Sequence, residues 1–388
     1  LPATDPDRLE LIARDALAAY GLPEQAGLTL LNVSENATFR VDDPDTGGRS
    51  VLRVHRPGYH CPEAIRSELA WVQALRADGV VSTPEVLPTV DGSLVATGTH
   101  VDGERRNVVR FGWVEGVEPA GARLVDDFQA LGAIAARLHR HVRTWRPPAG
   151  FTRFRWDYQT SIGPRGHWGR WQDGLGVGPA ERAVLGRLDD VLRERLTAFG
   201  DGPDRFGLVH ADMRLANLLV DPAADGSAAG SANGSAAGDA NGVADGSANG
   251  VADGSANGVA DGSANGVADG SADGPLPSEE PAGGVSVIDF DDCGFSWFLY
   301  DLGSSLSFME HDPAVPTLVD AWVTGYREVA PLSAEEQAEL PTFVLLRRLL
   351  LVAWIGSHHD TDLARSMGPE FTQVSCDLAE DYLSRFTR

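Results

Sequence analysis

The sequence predicts an α+β chain in two lobes, a small β-rich N-lobe followed by a larger helical C-lobe. Three observations predict it. Short apolar runs broken by turn residues crowd the first 116 residues, helical apolar spacing dominates after Ala122, and two late strand-like runs, at 207–220 and 284–290, interrupt the helices as a small hairpin. At 388 residues the chain also exceeds the usual size of one domain, roughly 100–200 residues.

Residues 5–20 carry Leu9, Ile12, Ala13, Ala16 and Leu17 at helical spacing and stop at Gly21. Strand-like runs follow at 28–33, 37–42 and 50–55, with the turn-rich D-D-P-D-T-G-G between the last two. A helix is expected from Pro62 to about Ala77, then strands near 86–97 and 106–114. Residues 1–116 form the expected N-lobe and 117–388 the C-lobe. In the C-lobe, Phe128, Leu131, Ile134, Ala135 and Leu138 share one helix face that ends at His139 and His141. Helical spacing returns at about 298–309, 314–329, 334–355 and 361–386.

Between the two late strands, residues 223–274 are thirteen tetrads such as S-A-N-G and V-A-D-G. Glycine at every fourth position costs a helix roughly 1 kcal/mol each relative to Ala. An occasional Val is too little apolar surface to offset the entropy of ordering, so the tract reads as a low-complexity, disordered insert. A calcium-binding roll would need a nine-residue period, and this one is four or eight.

A formal net charge of −24 opposes binding to nucleic acid or to an anionic membrane surface, since both are polyanions. All 32 basic residues are Arg, which with the acidic excess reads as the acidic proteome of a halophile rather than as a functional patch. Cys61, Cys293 and Cys376 are widely spaced and give neither a disulfide framework nor a zinc motif. The first residues lack an apolar signal-peptide core, and the apolar run 343–355, split by Arg347 and Arg348, is too short to span a bilayer. The expectation is a cytoplasmic protein.

The segment G-L-V-H-A-D-M-R-L-A-N-L-L-V, 207–220, brings an apolar strand into a loop bearing His210 and Asp212, with Asn217 five residues after the Asp. Phosphoryl transfer needs a carboxylate to orient the acceptor hydroxyl and oxygen ligands to hold Mg²⁺ on the triphosphate, and this is the spacing at which protein kinases place them. A second strand, V-S-V-I-D-F-D-D, ends in Asp289-Phe290, the place of the kinase metal carboxylate. As neighbouring hairpin ends, Asn217 and Asp289 offer hard oxygen donors suited to Mg²⁺.

H-x-D-x-x-x-x-N followed by I-D-F resembles the aminoglycoside phosphotransferase family, as do R-S-E-L near 66, L-G-A-I-A-A-R-L-H at 131–139 and Y-D-L-G at 300–303. The pattern is also similar to homoserine, hydroxylysine and stress-response kinases. The resemblance implies a two-lobed protein-kinase-like fold, ATP or GTP in the cleft and a small-molecule acceptor such as an aminoglycoside, amino acid or sugar. Carried onto this chain, it makes Asp212 the catalytic base or hydroxyl-orienting group and Asn217 and Asp289 the Mg²⁺ ligands. His210 and Asp301 become structural residues that brace the catalytic loop.

In the N-lobe the resemblance puts Arg53 of V-L-R-V at the phosphate-gripping position, with Glu68 of the following helix as its partner; a surface Arg on an edge strand is the alternative. No glycine-rich loop precedes that strand. Ser34 and Asn36 of S-E-N-A-T-F-R-V stand where the phosphate-covering turn would be, and a plain surface hairpin is the alternative there. The segment 109–116 would be the interlobe hinge. Asp291, Asp292, Glu310 and Asp157 offer charge to a cationic acceptor, but in so acidic a chain they read first as solvated surface. Trp156, Trp168 and Trp171 read as core. The rival functions are a protein Ser/Thr kinase and a nucleotide-binding pseudokinase scaffold, and the complete set Asp212, Asn217 and Asp289 argues against the scaffold.

Overall fold

The computed structural model describes residues 5–33, 36–119, 121, 123–221, 284–359 and 361–386. The tetrad tract and Ser34 lie outside the described residues. The chain is α+β, with a β-sheet lobe and a helical lobe.

In the N-lobe, helix α1 (Pro6–Asp15) is capped by Asp5, whose side chain accepts from the Asp7 amide, and it opens on a proline that needs no N–H partner there. Strands β1 (Gly27–Val33), β2 (Ala37–Asp42) and β3 (Arg49–Val54) precede helix α2 (Pro62–Ala77), and β4 (Val86–Leu87), β5 (Ala96–Thr99) and β6 (Arg105–Gly112) follow it. They form one antiparallel sheet in the order β1-β2-β3-β6-β4, with β5 also paired to β6.

Alternation along the strands decides what each face buries. Phe39, Val41, Leu52, Val54 and Val108 pack with Leu9, Ile12 and Ala13 of α1, whereas Val86 and Val109 join Ile65, Leu69, Val72 and Leu75 of α2 in the core that runs on into the helical lobe. Full burial of such side chains contributes roughly 1.5–3 kcal/mol each relative to exposure. Arg53 lies between Leu52 and Val54, so it points to the α2 face. That alternation is what aims a charged side chain at the cleft.

The helical lobe comprises α3 (Leu124–Thr144), β7 (Phe154–Arg155), α4 (Tyr158–Ser161), α5 (Pro179–Phe199), β8 (Phe206–Val209), β9 (Leu218–Val220), β10 (Val285–Val287), β11 (Gly294–Trp297), α6 (Tyr300–Ser305), α7 (Val315–Val329), α8 (Ala334–Ser357) and α9 (Asp362–Phe386). Helices α3 and α7 touch backbone to backbone: a Cβ on Gly132 would stand 1.9 Å from the Trp322 carbonyl oxygen, and one on Gly325 1.8 Å from that of Gln129. Only glycine fits at either place. Helix α8 is long and apolar enough to cross a membrane, yet most of it is buried inside this lobe.

Two small sheets carry the loops. β9 and β10 pair antiparallel, Leu218 opposite Val287 and Val220 opposite Val285, and β11 lies between β7 and β8. β9 is also joined to the strand lobe's exit, where the Val117 and Val220 amides and carbonyls exchange hydrogen bonds at 2.8 and 2.9 Å. The strand-like pieces expected near 86–97 are two short strands, β4 and β5. A turn separates them, closed by Thr89 N to Ser93 O at 2.8 Å and by Asp91 accepting the Ser93 amide. The helix expected from 298 starts at Tyr300, after β11; β11, β7 and α5 are elements beyond those expected from the sequence.

Candidate active site

β8 runs into a loop whose backbone is held from below. Ala211 adopts a left-handed φ of 67°, a conformation disfavoured for a residue with a Cβ. The fully buried Asp301 of α6 sustains it, accepting the Ala211 amide at 2.8 Å and the His210 amide at 3.3 Å, while His139 Nε2 contacts the same carboxylate at 2.9 Å. His210 ties this loop to the next strand: its Nδ1 accepts the Asp212 amide at 3.3 Å, and its Nε2 donates to the Ile288 carbonyl at 3.1 Å. Burial keeps His210 below its ordinary pKa, so it is the neutral ring that can make both contacts.

Asp212 emerges from that loop with both oxygens engaged. Oδ1 accepts from Arg347 Nη2 at 2.7 Å, and Oδ2 accepts from Arg214 Nε at 3.1 Å and Asn217 Nδ2 at 3.0 Å. Burial acts to raise its carboxyl, but the Arg214 and Arg347 guanidiniums outweigh it and hold Asp212 below the usual carboxylate range. Of the roughly four lone-pair sites of a carboxylate, these three contacts leave one on Oδ1 for a further donor.

Asn217 closes a short 3-10 turn over Leu215–Asn217 and also donates from Nδ2 to the Asp212 carbonyl at 2.8 Å. Its amide nitrogen is therefore turned inward, which directs Oδ1 the other way. The Asn217 carbonyl accepts the Ile288 amide at 2.9 Å, extending the β9–β10 ladder by one step and placing Asn217 next to Asp289. Asp289 has φ 58° and keeps 51% of its side-chain surface open. The protein packed around it, which displaces part of its hydration, and the nearby Asp291 and Asp212 raise its carboxyl above the ordinary range against the pull of Arg53.

Arg53 reaches the same place from the sheet. Its Nη2 donates to Glu68 at 2.6 Å with both side chains buried, and its Nη1 stands 3.4 Å from Asp289. Glu68 sits on the apolar face of α2 with Ile65, Leu69 and Val72, where an unpaired charge would be costly. The edge-strand alternative for Arg53 fails, since β3 lies between β2 and β6 and the side chain is buried.

Asn36 is buried, and both ends of its amide are used inside the protein: Nδ2 donates to Asp291 Oδ2 at 2.8 Å and Oδ1 accepts the Arg56 amide at 3.1 Å. It is not turned outward to meet a phosphate as expected. The solvated-surface reading also fails for two of the four acidic residues. Asp291 and Glu310 are buried, Glu310 in a 2.7 Å pair with Arg348. Asp157 caps α4, and the half-buried Asp292 accepts from Tyr59 Oη at 2.6 Å. The three tryptophans are core residues as expected. Sequence reading missed Arg347, which was noticed only as a break in an apolar run; a charged residue that a helix must bury is itself the signal of a partner.

The residues fit a divalent cation held with a triphosphate. Among the described residues no three His, Cys, Asp or Glu side chains form a ready metal cage. A half-open carboxylate beside an outward amide oxygen is what Mg²⁺ uses when phosphates supply other ligands.

The phosphotransferase enzyme family model matches residues 28–230 and 279–336. A solved microcompartment-associated aminopropanol kinase is 42% identical, with 96% of this chain and 97% of that one covered at a TM-score of 0.75. An amicoumacin kinase in complex with AMP-PNP and Ca²⁺ shares the fold at 19% identity, TM-score 0.65, covering 97% and 94%. An uncharacterized protein of Deinococcus radiodurans is 24% identical over 390 residues, 94% of this chain and 87% of that protein. The chain belongs to the phosphotransferase enzyme family, and its enzymology is that of a small-molecule kinase transferring phosphate to a hydroxyl group.

Proposed function

We propose that this enzyme moves the γ-phosphoryl of ATP, held with Mg²⁺, onto the hydroxyl of a small amino alcohol. The observation that carries the reading is the convergence of Asp212, Asn217, Asp289 and Arg53 from three separate segments, in a chain 42% identical to an aminopropanol kinase. Asn217 and Asp289 would hold Mg²⁺, which when bound would supply positive charge against the phosphates. Arg53, braced by Glu68, would contact the phosphates as a fixed cation.

Asp212 would receive the acceptor hydroxyl on its remaining Oδ1 site. Held low by two guanidiniums, it is a weak base, so its main work is to orient the hydroxyl and take the proton late, as a loose phosphoryl transition state allows. The net acidity of the protein suits a cationic acceptor over an anionic one. ADP release measured against 1-amino-2-propanol, ethanolamine, an aminoglycoside, homoserine and a casein-like protein tests this reading. The amino alcohols should give the highest kcat/KM; highest turnover on the protein or on no acceptor would overturn it.

A further inference from the structure

We propose that Asn36 and Asp291 form a clasp between the lobes that positions Arg53, by occupying a carboxylate that would otherwise capture it. The inference rests on the reading of Arg53 as the phosphate grip.

Asp291 belongs to the helical lobe, two residues beyond Asp289, but its side chain is 7% exposed and set among side chains of the other lobe. Oδ2 accepts from Asn36 at 2.8 Å; Oδ1 stands 3.5 Å from His55 Nδ1 and 3.9 Å from Arg53 Nη2. Oδ1 has no hydrogen-bond partner, and neither has Arg53 Nε, although both atoms are buried. The Arg53 guanidinium is thus shared unequally among three acids, Glu68 at 2.6 Å, Asp289 at 3.4 Å and Asp291 at 3.9 Å.

A buried carboxylate with an idle oxygen facing a guanidinium should close on it unless something holds it back. Asn36 is that restraint. The Arg56 amide fixes the Asn36 side chain at its other end, and the register of β2 on β3, Ala37 opposite Val54, sets Asn36 beside His55. With the clasp closed, Arg53 stays on Glu68 and keeps its other face for the nucleotide. With it open, Asp291 turns to Arg53 and draws it away.

The test is a cycle of Asn36→Ala, Asp291→Asn and the double variant, read by calorimetric ATP affinity, ATP-induced rise in Tm, and KM for ATP against KM for the acceptor. Asn36→Ala should weaken ATP binding about tenfold, the scale of one hydrogen bond to a charged group, with acceptor KM within about twofold. Asp291→Asn in that background removes the competing charge and should restore ATP affinity to within about threefold of wild type. A structural role alone predicts no such rescue. Losses that simply multiply in the double variant, or an Asn36→Ala protein with lower Tm and unchanged ATP affinity, would overturn the clasp while leaving the kinase reading intact. A wild-type protein that binds no nucleoside triphosphate would overturn both.

Discussion

Arg347 of α8 donates to Asp212 Oδ1 at 2.7 Å, and the same guanidinium donates to the Ala211 carbonyl at 3.2 Å and to Tyr300 Oη at 3.1 Å. One buried side chain therefore sets both the loop backbone and its carboxylate. Arg347→Met should lower kcat by about a hundredfold, the cost of a misplaced catalytic group, with KM for ATP changed little. Steady-state kinetics over both substrates would show it, and an equal rise in KM for ATP would place the effect elsewhere.

Asp212→Ala should reduce kcat by about 10²–10⁴ and leave ATP affinity within a few fold, since the proposed role of the carboxylate is toward the acceptor and not the nucleotide. Retention of more than about a tenth of kcat would remove Asp212 from the acceptor chemistry.

Asp289→Asn removes the charged oxygen beside Asn217, and its neighbour Arg53 then lacks one of its three acids. Half-maximal activity should require much more Mg²⁺, with little change in the Tm of the free protein, since the side chain is half open. A Mg²⁺ titration that superimposes on that of wild type would show the ligand to be another residue.

The Arg53–Glu68 pair separates stability from function. Arg53→Met strands a buried carboxylate and should cost about 3–5 kcal/mol of stability along with activity; adding Glu68→Leu should recover much of the stability and none of the activity. Denaturant unfolding and an ADP-release assay on the three proteins check both halves.

Acid should loosen the protein through His55 and His60. Burial, then the Arg53 charge for His55 and the Arg153 charge for His60, lowers them from 6.5 to about 3 and about 4, with Asp291 pulling the other way. The unfolded chain then binds more protons than the folded one between those values and 6.5, so stability is fully present above 6.5 and declines as pH falls toward 4. Tm measured from pH 7 to 4.5 should fall, and fall less steeply in a His55→Gln/His60→Gln variant that keeps its fold.

The fold was legible where pattern and length agree. Leu9, Ile12 and Ala13 announce α1, and Ile65, Leu69 and Val72 announce α2, because each helix buries one face only. β11 and β7 were illegible: four and two residues are too few to show a period, and their pairing is with segments far along the chain. At the site, Asp212, Asn217 and Asp289 could be found from spacing because one loop and one strand end carry them. Arg347 could not, since its partner is 135 residues away and nothing local marks which buried charge meets which. Asn36 was found but misassigned. Its residue type suits a phosphate turn and a buried hydrogen bond equally, and only the position of Asp291 decides between them.

Arg53, proposed above as the phosphate grip, is an arginine in a chain that has no lysine at all, and that governs how the enzyme can be interrogated. Nucleotide probes that acylate or sulfonylate an amine find no side chain to react with, so failure to label would say nothing about occupancy. An alkaline loss of activity cannot come from deprotonation of the grip, because a guanidinium keeps its proton where an ammonium would lose it. Covalent mapping of the cleft has to use reagents for guanidinium or carboxylate, for which the partly open Arg214 and Asp289 are the addresses.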